Sequence, residues 1–137
     1  MSRREAREIA FKLIFSYEFD KQSQTEQYDE YVAGLNPDDL SYVSVAYQGA
    51  ISHYDEIKQE VEKYADNFAI DRIYKVDMAI LVLAIYEIKY IDTIPFKVSV
   101  DEALKLAEVY STEKSVKFIN GILSKFGGKN EDNNIIC

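Results

Sequence analysis

From Met78 to Tyr86 every side chain is apolar or aromatic, and the run lies in a longer stretch, Val76 to Tyr90, without glycine or proline. A segment buried on all sides loses its periodicity, so pattern alone does not separate helix from strand. Length favours helix, because an uninterrupted run of this size is long for a strand. Ala79 and Ala84 are good helix formers, and Asp77 places an acid at the positive end of the helix dipole. The isoleucines and Val82 lean weakly the other way. The expectation is a central helix wrapped by others, with too few apolar residues to span a bilayer, where about 20 are needed.

The flanking pattern is helical throughout. Ser2-Arg3-Arg4-Glu5 has the form of a capping box, and Ala6, Ile9, Ala10, Leu13, Ile14 and Tyr17 follow as one apolar stripe. Lys21 to Gln27 reads as a polar loop or helix start, and Tyr28 to Leu35 as a short helix. Asn36-Pro37-Asp38-Asp39 supplies an N-cap, a proline at the first helical position and first-turn acids. Leu40, Val43, Tyr47, Ala50, Tyr54, Ile57, Val61 and Tyr64 then alternate steps of three and four, predicting one long helix with a heptad-like seam. Gly49 marks either a close neighbour or a bend in it. Asn67 to Lys75 reads as a connector, with a helical turn around Asp71-Arg72-Ile73.

The central helix must end before Pro95. Ser99-Val100-Asp101-Glu102 reads as a further capping box, followed by Ala103, Leu104, Ala107 and Tyr110 at helical spacing. A last helix, Glu113 to about Phe126, stops at Gly127-Gly128. Gly121 within it is expected to permit close helix packing. The fold class is therefore all-α, a compact bundle of about seven helices in one domain, residues 1–128, with a frayed tail at 129–137.

Composition changes the picture in two places. The only cysteine is Cys137, so no disulfide can form within the chain, which suits a reducing cytoplasm. The net charge of −8 opposes nucleic-acid binding at first sight. Its distribution does not: residues 21–66 carry three basic groups against ten acids, whereas residues 1–12 carry Arg3, Arg4, Arg7 and Lys12 against Glu5 and Glu8. The N-terminus is the basic pole.

On a helical wheel Arg3, Arg4, Arg7, Phe11 and Phe15 form one strip beside the core stripe. Guanidiniums beside aromatic faces suit single-stranded RNA, with phosphates neutralised and unstacked bases resting on rings. The competing reading is a solvated helix end with Glu5 and Glu8 as counter-charges and the phenylalanines in the core. Lys114, Lys117 and Phe118 form a smaller basic and aromatic group, or simply surface lysines. His53 has no second metal-binding neighbour and reads as structural or solvated, and Asp38-Asp39 reads as capping rather than metal or acid–base chemistry. Neither a phosphate-cradling glycine loop nor a nucleophile motif is present, so no catalytic residue, cofactor or metal is expected.

Arg3-Arg4-Glu5-Ala6-Arg7-Glu8-Ile9-Ala10 resembles the arginine-rich opening of the bacterial transcription antitermination factor NusB family. So does Asp71-Arg72-Ile73 followed by Val76 to Glu87. So, above all, do Ile94-Pro95, Val98 to Ala103, Leu106-Ala107, Ser115 and Lys117 to Leu123. The likeness covers essentially the whole chain and is weakest between Lys21 and Leu35. It implies a non-enzymatic, all-helical protein that binds boxA-type single-stranded RNA of nascent ribosomal RNA transcripts. It does so with NusE, a small-subunit ribosomal protein, in an antitermination complex on RNA polymerase. Carried over by residue, it implies RNA contacts from Arg3, Arg4, Arg7, Phe15, Tyr110, Lys117 and Phe118. It also implies a NusE-facing acid at Asp77 and a partner-facing position at Lys114. Some relatives have an acid at that last position, so an acid-based contact does not transfer to Lys114. Two rival readings are an accessory part of an RNA cytosine methyltransferase, to which NusB-like domains are fused, and a regulatory homodimer with little RNA binding.

Overall fold

The computed structural model of the protein describes residues 3–20, 24–65 and 72–127, with residues 24–27 described in backbone only. Seven helices follow one another: α1 (Arg3–Phe19), α2 (Gln24–Val32), α3 (Pro37–Ser52), α4 (Tyr54–Tyr64), α5 (Lys75–Tyr90), α6 (Phe96–Tyr110) and α7 (Glu113–Leu123). A 3-10 turn, Ser124–Phe126, closes the described chain. No strand occurs among the described residues.

The featureless apolar run is the hub. In α5 every residue from Asp77 to Ile88 is buried, and α1, α3, α4, α6 and α7 all pack on it. Ile80, Leu81, Leu83 and Ile85 are among the largest fully buried side chains. Each such side chain contributes about 1.5–3 kcal/mol by leaving water, so α5 is held by its neighbours rather than by helix propensity. α1 contributes Ala6, Ala10, Leu13 and Ile14, the stripe expected from its spacing.

Three expectations are corrected. The seam over residues 40–64 is not one helix but two, α3 and α4, meeting at His53. There the Ser52 Oγ donates to the Gln48 carbonyl at 2.9 Å, and the His53 backbone N–H and Nδ1 both reach the Gly49 carbonyl, at 3.1 and 3.0 Å. Local side-chain bonds of this kind compete with the helical ladder and end it. Gly49 is the close-approach case: a Cβ there would lie 2.1 Å from Cζ of Tyr86. Along the seam Leu40 is exposed, while Val43, Tyr47, Ala50, Tyr54, Ile57 and Val61 are buried.

The second correction concerns Ser99, which is not a cap. α6 begins at Phe96 behind Pro95, whose carbonyl accepts from the N–H groups of Val98 and Ser99 at 3.0 and 3.2 Å. Ser99 is buried inside the first turns and serves the core instead. Third, Gly121 faces open space, with nothing within 4 Å of an added Cβ. The Asn36 cap is as expected, its side chain accepting from the Asp39 N–H at 2.8 Å with Pro37 at the first helical position. α7 has its own cap, Thr112, accepting from the Ser115 N–H at 3.0 Å. α2 starts four residues before the expected Tyr28 and ends at Val32. The Ser2 cap, the helical turn at Asp71 and the 129–137 tail lie outside the described residues.

Candidate nucleic-acid interface and partner pocket

The three arginines of α1 diverge. Arg7 is 6% exposed. Its Nε lies 3.0 Å from Oε2 of Glu87 and its Nη2 3.3 Å from Oε1. Glu87 also accepts from the Tyr42 hydroxyl and, at 2.9 Å, from Ser99 Oγ. One carboxylate in the middle of α5 thus receives donors from α1, α3 and α6. Burial pulls the Arg7 pKa down, but the hydrogen bonds and charge of Glu87 outweigh it and the guanidinium stays firmly charged. The same burial, together with the Glu87 charge, holds the Tyr42 hydroxyl protonated. Arg7 therefore points into the bundle because positions 7, 10, 11 and 14 share the buried side of α1. The signal in the sequence was Glu87, an acid that follows directly on the apolar run and that burial obliges to find a cation.

Arg3 and Arg4 remain at the surface, with side chains 43% and 59% exposed. Arg3 pairs with Asp39 at 3.1 Å, and its guanidinium lies 4.8 Å from the centre of the Tyr42 ring. Arg4 forks onto Glu102 of α6 through two 3.1 Å bonds. The hydrogen bond from Arg4 lowers the Glu102 carboxyl below its ordinary range. Lys105 stands 3.5 Å from the same carboxylate. The partners of these guanidiniums are thus distant acids, Asp39 and Glu102, where the sequence suggested Glu5 and Glu8. Glu8 instead accepts from the Tyr110 hydroxyl at 2.8 Å.

A row of rings leads away from this cationic end. Tyr110 lies 5.1 Å from Phe11, Phe11 is 6.3 Å from Phe15, and Phe15 is 4.8 Å from Phe19. Phe11 is buried, Phe15 half-buried and Phe19 61% exposed. Lys12 stands 5.8 Å from the Tyr110 ring centre and Lys75 5.4 Å from that of Phe19. Phe15 and Tyr110 therefore belong to one ring row on the α6 side of α1, the side to which Arg4 turns, whereas Arg3 turns to α3. Phe19 and Lys75 were not singled out in the sequence, although the i, i+4 spacing of Phe11, Phe15 and Phe19 carries the signal, and Lys12 was counted only among the charges of the basic pole.

The remaining candidates gather where α5 and α7 begin. Arg72, Ile73, Tyr74, Asp77, Lys114, Ser115 and Phe118 line an open pocket of about 200 Å³. Asp77 is buried, one oxygen accepting from Ser111 Oγ at 2.6 Å and the other from Ser115 Oγ at 2.7 Å. It clamps the corner between α6 and α7 onto the start of α5. Lys117 is exposed but does not line the pocket. Among the described residues no group of three or more potential ligands could hold a metal ion, and no helix is long and apolar enough to cross a membrane.

Comparison with known proteins agrees with this architecture. The chain is 45% identical to the transcription antitermination protein NusB of Acetivibrio thermocellus over 127 residues, 91% of this chain and 88% of that one. It is 40% identical to the NusB of Listeria monocytogenes over 125 residues, covering 90% and 94%. Among solved structures it superposes on T. maritima NusB with a TM-score of 0.87, at 28% identity over 95% and 93% of the two chains. It also superposes on a chain from a complex of the antitermination factors NusB and NusE with double-stranded RNA, with a TM-score of 0.81, at 27% identity over 90% and 94%. A profile of the NusB family spans residues 4–127, and with relatives this similar over nearly its full length, the chain belongs to the NusB family.

Proposed function

We propose that this chain is a non-enzymatic adaptor that binds boxA-type single-stranded RNA of ribosomal RNA transcripts together with NusE, within an antitermination complex on RNA polymerase. The observation that carries the reading is the surface of α1. Two exposed guanidiniums, Arg3 and Arg4, project from the first turn of the helix whose Phe11, Phe15 and Phe19 form a ring row with Tyr110 of α6. Cations there neutralise phosphate, and exposed ring faces accept unstacked bases. Arg7 takes a different part: buried on Glu87, it holds the helix that presents the other two. Lys117 extends the RNA surface from α7, and Phe118 stands where that surface meets the pocket it lines with Asp77 and Lys114, which this reading gives to NusE.

Few cations are available, and each of the leading two already has a carboxylate partner. RNA affinity of the free chain is therefore weak, with a shallow salt slope of about 0.7 for each phosphate contacted, and NusE supplies the additional surface. The test is fluorescence anisotropy on a boxA-type RNA, with and without NusE, at several salt concentrations. Binding that tightens when NusE is added and falls when the boxA sequence is scrambled supports the adaptor. Equal, weak binding to both RNAs with NusE present overturns it.

A further inference from the structure

We propose that the pocket between the starts of α5 and α7 takes an apolar side chain from an acidic segment of the protein partner, with Lys114 and Arg72 selecting the carboxylates that flank it. The proposal rests on the partner reading above and deepens it by naming the charge that the partner must present.

Size limits the occupant first. At about 200 Å³ the pocket is smaller than the roughly 300–1,000 Å³ typical of small-molecule and cofactor sites. It has room for an anchoring side chain of the kind that dominates protein interfaces. Its walls are Ile73, Tyr74 and Phe118, with Tyr74 62% exposed at the N-cap of α5.

Charge sets the rest. The acid in the pocket, Asp77, is buried and both its oxygens are engaged by Ser111 and Ser115. It is occupied in fixing the α6–α7 corner and is poorly placed to recruit a cation from a partner. Arg72 and Lys114, both exposed, make no ion pair among the described residues. The charges open to a partner are therefore positive, while the floor is apolar. A peptide with one apolar residue between acids matches this arrangement, and complementary charge of this kind governs partner choice and association rate. An RNA strand matches it less well, because its phosphates would pass the buried carboxylate of Asp77 and leave the apolar floor unfilled.

The test uses the full chain and NusE from the same bacterium, titrated calorimetrically at two salt concentrations. Wild type is expected to bind NusE, more weakly at high salt. Lys114→Glu should lose at least tenfold in affinity, Lys114→Ala less, and Lys114→Glu with Arg72→Glu should lose binding altogether. Both side chains are at the surface, so unchanged circular dichroism melting is expected. Restoration of Lys114→Glu binding by an acid-to-lysine change in NusE would identify the matching carboxylate. If wild type binds and the reversals bind equally well, the charge proposal is overturned and the adaptor reading stands. If wild type does not bind NusE at all, the adaptor reading itself fails. If the reversals leave NusE binding intact but weaken boxA-type RNA binding, the pocket edge serves RNA and the peptide proposal is overturned.

Discussion

Arg7 and Glu87, eighty positions apart, are joined by two hydrogen bonds beneath the N-terminal turn of α1. The pair is buried, so removing one partner leaves the other charge without compensation in a dry site. Arg7→Ala or Glu87→Ala is expected to cost about 3–5 kcal/mol in urea unfolding. Replacing both with apolar residues of similar size, as in Arg7→Met with Glu87→Leu, should recover most of that loss. It would still leave Tyr42 and Ser99 without their acceptor. A double variant as unstable as the singles would contradict this account.

Arg3 and Arg4 behave differently because they face solvent. If each contacts one RNA phosphate, Arg3→Gln or Arg4→Gln should lower the slope of log affinity against log salt by about 0.7. A variant at Arg7 that still folds should leave the slope alone. The comparison is read from anisotropy titrations of NusE-bound protein on boxA-type RNA. Equal slopes for Arg4→Gln and wild type would remove Arg4 from the interface.

These two cases also mark what the sequence can and cannot disclose. The apolar stripe of α1 and the Asn36-Pro37 start are local patterns, and each appears in the structure where its periodicity or capping residues put it, while the central helix follows from the length of its unbroken apolar run. Arg7 could not be sorted from Arg3 and Arg4 in this way, because its direction depends on Glu87 in a distant helix. Ser99 misled for the same reason: a serine three residues before a glutamate has the form of a cap, yet Glu87 and Arg4 had a stronger claim on Ser99 and Glu102. The break at His53 was hidden because α3 and α4 keep the same seam phase across it. Asp77 was legible as a helix-start acid, but its two serine partners lie on the far corner of the bundle.

Gly49 offers a test of packing that involves no charge. A Cβ at this position would lie 2.1 Å from both Cζ and the hydroxyl oxygen of Tyr86. The ring cannot swing away easily, since it is buried and packs against a pair of rings, Tyr90 at 5.0 Å and His53 at 5.8 Å, that themselves lie 4.3 Å apart. Gly49→Ala is expected to destabilise by about 1–3 kcal/mol despite the better helix propensity of alanine. Shortening the neighbour, in Gly49→Ala with Tyr86→Leu, should make the alanine less costly than in the wild-type background, a coupling read from a double-mutant cycle. Strict additivity would show that the contact is relieved by some other shift.

Glu18, near the end of α1, makes stability depend on pH near neutrality. Its carboxyl accepts from the Tyr54 hydroxyl, and its other oxygen, Oε2, is buried with no hydrogen-bond partner. Burial pushes the pKa up to about 7, against the opposing pull of the Tyr54 bond and of Lys58 and Lys75. In the unfolded chain the same group titrates near 4.5. Between these values the folded protein holds a proton that the unfolded chain has lost. Stability must therefore fall as pH rises through about 4.5 to 7, and level off above. The full change is on the order of 3 kcal/mol. Glu18→Gln keeps the shape without the charge, so it should be more stable than wild type at pH 8, with the difference shrinking toward pH 5. Urea midpoints at pH 5, 6, 7 and 8 for both proteins measure it, and taking the difference cancels every other titrating group. A difference that stays constant across that range would mean the carboxyl is not held protonated by its surroundings.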